Sequence, residues 1–441
     1  MPDRRSVLAW GAAAAAAPAL TACGESAGAA RLTRQTKRKR GQKVNLVFWT
    51  WVPLQKTVAL WNRTHPDIHV DLQIVPGATN GGYQKMHASL KAGSPPDLAQ
   101  IEYHTLPEFM LVNGLTNLSE HGADKLKDEY VDWQWKQCVF GGRLHAIPQA
   151  SGPMANFYRK DLFERWDVEV PRTWDEFRKA AIKIKKRGGG SRITAFPPTN
   201  AMWYASFPWQ RGARWIRTEG DTWIVDFNSK LSLEVADFWD GLLQDELITV
   251  QPDLQSGWYR SAQTGHFASW LGAQWGDALL RGNAPDTKGD WRVAPLPQWE
   301  EGQNASANWG GSCTAILQGS RHPEEALEFA HWLNTDSKSI DLLVAAGYGW
   351  PGARIDLEKS ALGKRDPFFG NQRYNEVFEE SDGQIDTSWK WAPTNTQSFD
   401  HIKDAFGRAA AGRGTLVDAL NDVQGRVLDD LAAKGLKARS A

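Results

Sequence analysis

Three short apolar runs near the start of the chain decide its fold: VNLVFWTW at 44–51, IHVDLQIV at 68–75 and PDLAQI at 96–101. The first run is continuously apolar, which is typical of a buried, parallel strand, and the second alternates as a half-exposed strand does. Helices are predicted between the runs at 57–64 and 83–92, and Gly93 ends the second helix. The order strand, helix, strand, helix, strand predicts a parallel α/β unit with right-handed crossovers, and therefore a doubly wound sheet.

The ends of the first and third strands are the predicted location of a ligand, because ligands bind beyond the carboxyl ends of the strands in such sheets. Trp49 and Trp51 close the first run, and Glu102 and Tyr103 follow the third. Trp49 and Trp51 are two residues apart, so both or neither would face the ligand unless the chain turns there. We expect all four side chains at the binding site.

A second series of elements begins near residue 154, after a stretch rich in Gln, Ser, Gly and Pro at 148–153. Thr173 and Glu176 are spaced as a capping box and predict the start of a helix that ends at Gly188. We interpret the change of pattern near 145 as a crossing between two lobes. Further strands are predicted at 154–158, 266–270, 291–296 and 314–317, and further helices at 161–166, 229–244, 323–334 and 415–434.

The composition of the 441 residues excludes several classes of protein. With 41% hydrophobic and 23% charged residues, the chain is neither disordered nor collagen-like, and three Cys are too few for a disulfide framework. Its length indicates two or three structural domains. The unusual feature is 23 Trp beside 17 Phe and 8 Tyr. Indole rings suit the C–H face of a sugar, whose hydroxyl rim needs polar partners, although a Trp is more often part of a core.

The first 43 residues are typical of an export signal and a tether. Arg4 and Arg5 precede an apolar run at 8–20, which is too short to span a bilayer and predicts a twin-arginine signal peptide at 1–22. LTAC at 20–23 resembles the lipobox of bacterial lipoproteins, which implies lipidation of Cys23; an ordinary signal peptide with an incidental Cys is the alternative. Residues 23–43 would carry this lipidated Cys and a basic tether. We expect an exported protein, anchored by lipid alone to the outer face of the cell membrane.

The charge of the rest of the chain argues against nucleic acid as a partner. Residues 1–43 contain nine of the 51 basic residues and two of the 51 acidic ones, which leaves 42 basic and 49 acidic residues beyond them. That body is mildly acidic and lacks a run of cations mixed with aromatics. Neither Cys138 nor Cys313 has a second Cys or a His at metal-ligand spacing, and His65 and His69 flank Pro66, which breaks the helix that their spacing would need. Neither GxSxG nor a P-loop is present, so we expect no metal, no cofactor and no ATPase activity. Whether Cys138 and Cys313 form a disulfide stays open at this point.

Seven segments, taken in order, resemble one family. They are VNLVFWTW at 44–51, LWNRTHPDIHVDL at 60–72, SPPDLAQIEY at 94–103, GLTNLSEHG at 114–122, GRLHAIPQASGPMANFYRKDLFERWDVEVPRTWDEFRKAA at 142–181, PEEALEFAHWLN at 323–334 and GYGWP at 347–351. The part from 158 to 177 is the most specific. Together the segments resemble the extracellular solute-binding proteins of bacterial ABC sugar importers, the group that includes the maltose-binding protein.

The resemblance implies an α/β protein of two doubly wound lobes joined by a hinge, the periplasmic-binding-protein-like II type. The first lobe would hold 44–145 and 305–335, and the second lobe 146–304 and 336–441. A mono- or oligosaccharide would bind in the cleft between the lobes and pass to an ABC permease served by a separate ATPase. The protein would be a monomer and not an enzyme.

The resemblance also implies aromatic residues that stack on the sugar. Tyr158 falls at a stacking tyrosine of the family, Trp275 at a segment that commonly supplies a cleft tryptophan, and Trp309 and Gly310 at the glycine-rich cleft strand. Further positions expected at the cleft are Trp209, Trp270, Trp350, Trp389 and Trp391. The charged pair that follows the third strand in maltodextrin binders is replaced by His104 and Thr105, which argues against maltose itself.

Two other functions stay open at this point. An exported glycoside hydrolase would also be rich in Trp and would need two carboxylates about 5 to 9.5 Å apart. A solute-binding protein for a non-sugar ligand, such as a peptide, would share the order of segments. Arg211, Arg214 and Arg217 could serve an acidic sugar, but we interpret them as part of a solvated charged face.

Overall fold

The computed structural model describes residues 42–77 and 81–441. The predicted signal peptide at 1–22, the lipidation at Cys23 and the tether up to residue 41 lie outside the described residues. Within the described ranges, no helix is both long enough and apolar enough to cross a membrane.

Strands and helices alternate along most of the chain. The strands are β1 Val44–Thr50, β2 Ile68–Ile74, β3 Leu98–Glu102, β4 Val139–Phe140, β5 Arg143–Leu144, β6 Ala146–Ser151, β7 Met154–Arg159, β8 Ala195–Phe196, β9 Ile216–Glu219, β10 Thr222–Val225, β11 Thr249–Val250, β12 Ser269–Ala273, β13 Trp291–Ala294, β14 Ser312–Ile316, β15 Trp350–Pro351 and β16 Ala438–Ser440. The α-helices are α1 Gln55–Thr64, α2 Gly82–Lys91, α3 Leu106–Leu111, α4 Asp132–Gln137, α5 Lys160–Arg165, α6 Trp174–Arg187, α7 Ala201–Arg211, α8 Lys230–Gln244, α9 Ser256–Thr264, α10 Gly276–Asn283, α11 Pro323–Thr335, α12 Ser337–Ala345, α13 Asn375–Gly383, α14 Asn395–Ala410 and α15 Leu416–Ala433.

The first sheet has six strands in the order β15-β6-β14-β3-β1-β2. β1 pairs in parallel with both β2 and β3, which confirms the predicted α/β unit. β14 returns to this sheet and pairs antiparallel with β3 and β6. Leu46 and Phe48 point into its core and are fully buried, as the continuously apolar run requires. α1 covers the sheet through Trp61, whose Nε1 donates to the carbonyl of Ile68 at 2.9 Å.

The second sheet has three strands in the order β12-β7-β13, and β7 pairs antiparallel with both of its neighbours. Three small sheets join β8 in parallel with β11, β10 with β9 and β16, and β4 with β5. Two apolar clusters accompany the six-stranded sheet and the second sheet. One takes its buried residues from 44–150 and 313–348, and the other takes them, apart from Trp133, from 154–309 and 350–431. The prediction of an α/β protein is therefore correct.

The chain crosses between the sheets later than the sequence suggested. β6 belongs to the six-stranded sheet, where it pairs with β14 and β15, although residues 146–151 were expected in the second lobe. Ser151 is the last residue of β6 and Met154 the first of β7, so the crossing comes at Gly152 and Pro153. Gln149 and Ser151 suggested a linker in the sequence, but both are buried within β6 by neighbouring strands.

The predicted capping box at the start of α6 is half correct. Thr173 Oγ1 accepts from the backbone N–H of Glu176 at 3.1 Å. The Glu176 carboxylate accepts from the N–H of Arg172 at 2.7 Å, one residue before the cap. Residues 172–174 run beside Gln298 and exchange backbone hydrogen bonds with it, which fixes the chain in this extended entry to the helix.

Candidate functional site

A cleft of about 740 Å³ lies where residues of both apolar clusters meet. Its volume is within the range of small-molecule sites. The apolar cluster formed by 44–150 and 313–348 contributes residues at the carboxyl ends of β1 and β3, where the sequence predicted a ligand. The aromatic, polar and charged residues that line the cleft, together with a glycine, include Trp51, Tyr83, His87, Glu102, His104, Glu108, Ser151, Asn200, Asp253, Trp275, Trp309, Gly310, Asp400 and Lys403.

Two aromatic pairs line the cleft. Trp51 and Tyr83 lie edge to face, with ring centroids 6.5 Å apart and an interplanar angle of 89°. Trp275 and Trp309 form the second pair, with centroids 4.6 Å apart at 63°. The Trp275 Nε1–H donates to the carbonyl oxygen of Trp309 at 2.9 Å. Because the indole N–H already has its partner, the half-buried Trp275 ring offers a ligand its π surface.

Glycines make room for the second aromatic pair. A Cβ on Gly152 would lie 2.0 Å from the Trp309 carbonyl oxygen and 2.7 Å from Trp275 Nε1. Gly310 lines the cleft and adopts φ +82°, a left-handed conformation that other residues rarely adopt. Trp270 lies behind this wall, buried, with its ring centroid 5.9 Å from that of Trp309. Trp270 therefore supports the wall and does not line the cleft.

Glu102 is held in place by Tyr83. The Tyr83 hydroxyl donates to Glu102 Oε2 and accepts from the Glu102 backbone N–H, both at 3.0 Å. Burial, followed by the charge of Glu102, raises the pKa of Tyr83 well above its ordinary value, so the phenol stays a neutral donor. His104 Nε2 lies 3.9 Å from Glu102 Oε2. This corner of the cleft presents an oriented carboxylate beside an aromatic pair, which suits a ligand hydroxyl.

Asn200 and Asp253 form a polar pair that sequence reasoning missed. Asn200 Oδ1 accepts from the N–H of Trp203 and begins α7, while its Nδ2 donates to Asp253 Oδ2 at 2.7 Å. Burial raises the pKa of Asp253 to about 6. Asn200 could be recognised in the sequence as a helix N-cap. Nothing in the sequence indicates that Asp253, 53 residues further on, is its hydrogen-bond partner.

Five of the thirteen predicted binding residues line the cleft: Trp51, Glu102, Trp275, Trp309 and Gly310. Trp49 points away, since its Nε1 donates to Gln73 Oε1 at 2.9 Å. Tyr103 is buried and donates to Gln134 Oε1 at 3.0 Å. Tyr158 lies half-buried on β7, where its ring packs 5.2 Å from that of Phe163. Trp350 is buried in β15 opposite Ser151.

The remaining predicted tryptophans gather in the core beside a second cavity. Trp209 stacks on Trp389, with centroids 5.0 Å apart at 9°, and its Nε1 donates to the carbonyl of Asp386. Trp389 and Trp391 are buried but also border a cavity of about 390 Å³. Trp223 borders the same cavity from β10. Trp223, Trp389 and Trp391 therefore border a different cavity from the one that the two aromatic pairs line.

Cys138 and Cys313 are both buried free thiols, which answers the question that the sequence left open. Burial, followed by the neighbouring Cys313, raises the pKa of Cys138 well above its ordinary value. Cys313 Sγ donates to the carbonyl of Ile101 at 3.1 Å. Across 42–77 and 81–441, no group of three or more His, Cys, Asp or Glu side chains is placed to hold a metal ion.

Comparison with known proteins gives a consistent result. The arabinooligosaccharide-binding protein of Bacillus subtilis is 26% identical over 398 residues, which are 87% of this chain and 89% of that protein. The arabinooligosaccharide-binding protein of Halalkalibacterium halodurans is 25% identical over 354 residues, 76% of this chain and 78% of the relative. A solved structure, the galacto-N-biose/lacto-N-biose I-binding protein of the ABC transporter from Bifidobacterium longum in complex with lacto-N-biose, matches with a TM-score of 0.83 and 28% identity, over 91% of this chain and 100% of that one.

These relatives are binding proteins and not enzymes, which confirms the prediction that the chain is not an enzyme. The fold match confirms the predicted class of two α/β lobes joined by a hinge. The family model described as "Bacterial extracellular solute-binding protein" matches residues 49–338, well over half of the sequence. The chain belongs to the bacterial extracellular solute-binding proteins.

Proposed function

We propose that the protein captures a mono- or oligosaccharide in its cleft and delivers it to an ABC permease that works with a separate ATPase. The observation that carries this proposal is the half-buried ring of Trp275, which packs on the buried Trp309 and lies in one cleft with the carboxylates of Glu102 and Asp253. Apolar ring faces with hydrogen-bonding groups around them match the two kinds of surface of a sugar. The sugar ligands named for the relatives support the same class.

The proposal includes closure of two lobes around the sugar. We place the first lobe at 44–151 and about 312–351, and the second at 154–308 and 352–441, with crossings near 152, 310 and 351. The division into two apolar clusters, each with its own sheets, supports these boundaries. A ligand that contacts both lobes would favour the closed arrangement, because it gains those contacts only there.

The proposal also includes export and a lipid anchor. The signal sequence and the lipobox-like LTAC at 20–23 support cleavage before Cys23 and its lipidation. The anchor would hold a monomer at the outer face of the membrane, where a permease could receive the sugar. No other attachment to the membrane is proposed.

Isothermal titration calorimetry after a thermal-shift screen of mono- and oligosaccharides tests the binding function. Trp275→Ala should weaken the binding of any saccharide that stabilises the protein by about tenfold or more, because the stacking surface is lost. Trp223→Ala is the matched control, since Trp223 borders the other cavity, and it should leave the affinity unchanged. Loss of affinity in Trp223→Ala alone would place the sugar in the second cavity. Binding of a peptide or polyamine by a protein that binds no saccharide would refute the proposed function.

A further inference from the structure

The charged side chains that line the cleft are mostly acidic. Glu102, Glu108, Asp253 and Asp400 face one lysine, Lys403. Glu102 and Glu108 lie on the first proposed lobe, and Asp253 and Asp400 lie on the second. Closure of the lobes would therefore bring the four carboxylates closer together. Which of these charges is already compensated decides what kind of ligand the cleft accepts.

The cations of the cleft have partners within the protein. Lys403 Nζ lies 2.6 Å from Asp400 Oδ1, an ion pair that satisfies both groups. His87 stacks on Phe109, with ring centroids 4.3 Å apart, and burial lowers its pKa below the ordinary value. His87 is therefore neutral at neutral pH. None of these groups is a free positive charge that could receive a carboxylate ligand.

Two of the acids are compensated as well. Glu108 Oε1 accepts from the backbone N–H of Thr396 at 2.7 Å, in the first turn of α14, where the helix dipole favours an anion. Glu102 accepts from the Tyr83 hydroxyl and has His104 at 3.9 Å. Both carboxylates are thus held by donors that the protein itself provides.

Asp253 differs from these acids. Its carboxylate accepts a 2.7 Å hydrogen bond from the neutral Asn200 amide and one from its own backbone N–H, and no ion pair among the described residues includes it. Burial raises its pKa to about 6, so the group is still mostly ionised at pH 7. The cleft therefore contains a partly desolvated negative charge without a counter-charge, a position that a ligand cation would relieve.

Resting on the sugar-binding function proposed above, we infer that the cleft selects neutral and amino saccharides over uronic acids, and that Asp253 is the residue that sets this preference. A protonated amine would supply the missing counter-charge, whereas a uronate carboxylate would enter a cleft of like charge. Of the three arginines that could have served an acidic sugar, Arg214 is exposed and does not line the cleft, and the other two are paired elsewhere. Arg211 pairs with Glu234 and Glu300, and Arg217 pairs with Glu219 and Asp226.

Competition calorimetry at pH 7 tests this inference, with the best-binding saccharide of the screen as the reference ligand. The probes are two matched series, glucose, glucosamine and glucuronate, and cellobiose, the de-N-acetylated chitobiose and cellobiouronic acid. We expect the amine to bind at least as well as the neutral sugar, and the acid about tenfold more weakly or worse. Asp253→Asn should reduce the difference between amine and acid by about tenfold. Asp175→Asn, an exposed change in the first turn of α6, is the matched control and should change nothing.

The outcomes separate this inference from the function on which it rests. Equal binding of acid and neutral sugar by the wild-type protein would overturn the selectivity, and this reading needs no variant to fold. An unchanged preference in Asp253→Asn would overturn the role of Asp253. A reference saccharide that binds while none of the probes competes would show that shape and not charge selects the ligand, which also overturns the inference. Failure of every saccharide in the first screen would overturn the proposed function and the inference with it.

Discussion

Asp382 allows a direct test of how one buried carboxylate changes the free energy of unfolding with pH. It is a buried carboxylate on α13, close to the place where the chain crosses between the two sheets. Its Oδ1 accepts from Trp133 Nε1 at 3.1 Å and from Ser151 Oγ at 3.2 Å. Its hydrogen-bond donors are neutral, and no ion pair with Asp382 occurs among the described residues. Burial raises its pKa from 3.8 to about 7.

This pKa makes the stability of the protein depend on pH in a direction unusual for an aspartate. Between about pH 4 and pH 7 the folded state keeps a proton on Asp382 that the unfolded state has released. The folded state therefore binds more protons, and the free energy of unfolding falls as the pH rises. Each pH unit below the folded-state pKa is worth about 1.4 kcal/mol and the slope halves at that pKa, so the rise from pH 5 to pH 7 removes about 2 kcal/mol. Above about pH 8 both states are ionised and the contribution of Asp382 is constant.

Urea unfolding of the wild type and of Asp382→Asn at pH 5, 6, 7 and 8 measures this contribution. An asparagine keeps an oxygen that can accept from Trp133 and Ser151, so the variant removes the titration and retains the shape. We expect the free energy of the wild type, relative to the variant, to fall by about 3 kcal/mol between pH 5 and pH 8.

Other groups titrate in the same range, and the comparison of two proteins cancels them. Asp253, with its pKa raised to about 6, acts in the same direction as Asp382. His87, His145 and His331 act in the opposite direction, because burial lowers their pKa in the folded state. Parallel stability curves for the two proteins would refute the reasoning, since they would mean that Asp382 titrates alike in the folded and unfolded states.

Two more predictions concern the cleft wall and the anchor. Gly152→Ala should destabilise the protein by about 1–3 kcal/mol and weaken sugar binding, because the added Cβ would meet the Trp309 carbonyl oxygen and Trp275 Nε1; calorimetric unfolding and titration measure both effects, and full retention of both would contradict the geometry. Cys23→Ser should release the protein from membranes into the soluble fraction of cells, as fractionation and immunoblotting would detect; unchanged membrane association would exclude a lipid on Cys23 as the anchor.

The first α/β unit could be predicted from sequence because its signals are local. The three strands begin and end within two residues of the predicted positions, since apolar runs and Gly93 mark them directly. The rule that ligands bind at strand ends also placed Trp51 and Glu102 in the cleft. Trp49 does not line the cleft, because β1 ends at Thr50 and the chain turns there. Thr50 Oγ1 accepts from the N–H of Val52 in this turn. The turn sends the two tryptophans in different directions.

The second half of the site could not be predicted because its signals are tertiary. α7 is buried at ten of its eleven positions, so it lacks the polar face that reveals a helix in sequence. The cap of this unrecognised helix is Asn200, and its partner Asp253 comes from a loop between β11 and α9. Neither residue belongs to a motif. Only the packing of α7 against the second sheet brings the two side chains into the cleft.

The tryptophan content shows why composition alone could not locate the site. Fourteen of the 23 Trp are buried in the apolar cluster of the second sheet. Many of these indoles donate their N–H to the protein, as Trp203 does to the carbonyl of Leu271 and Trp215 to Ser232. An indole with its N–H bonded and both faces packed can offer a ligand nothing. Trp275 has its N–H bonded but a ring only half-buried, and this difference in the exposure of one face separates the stacking surface that we propose from a core residue of the same kind.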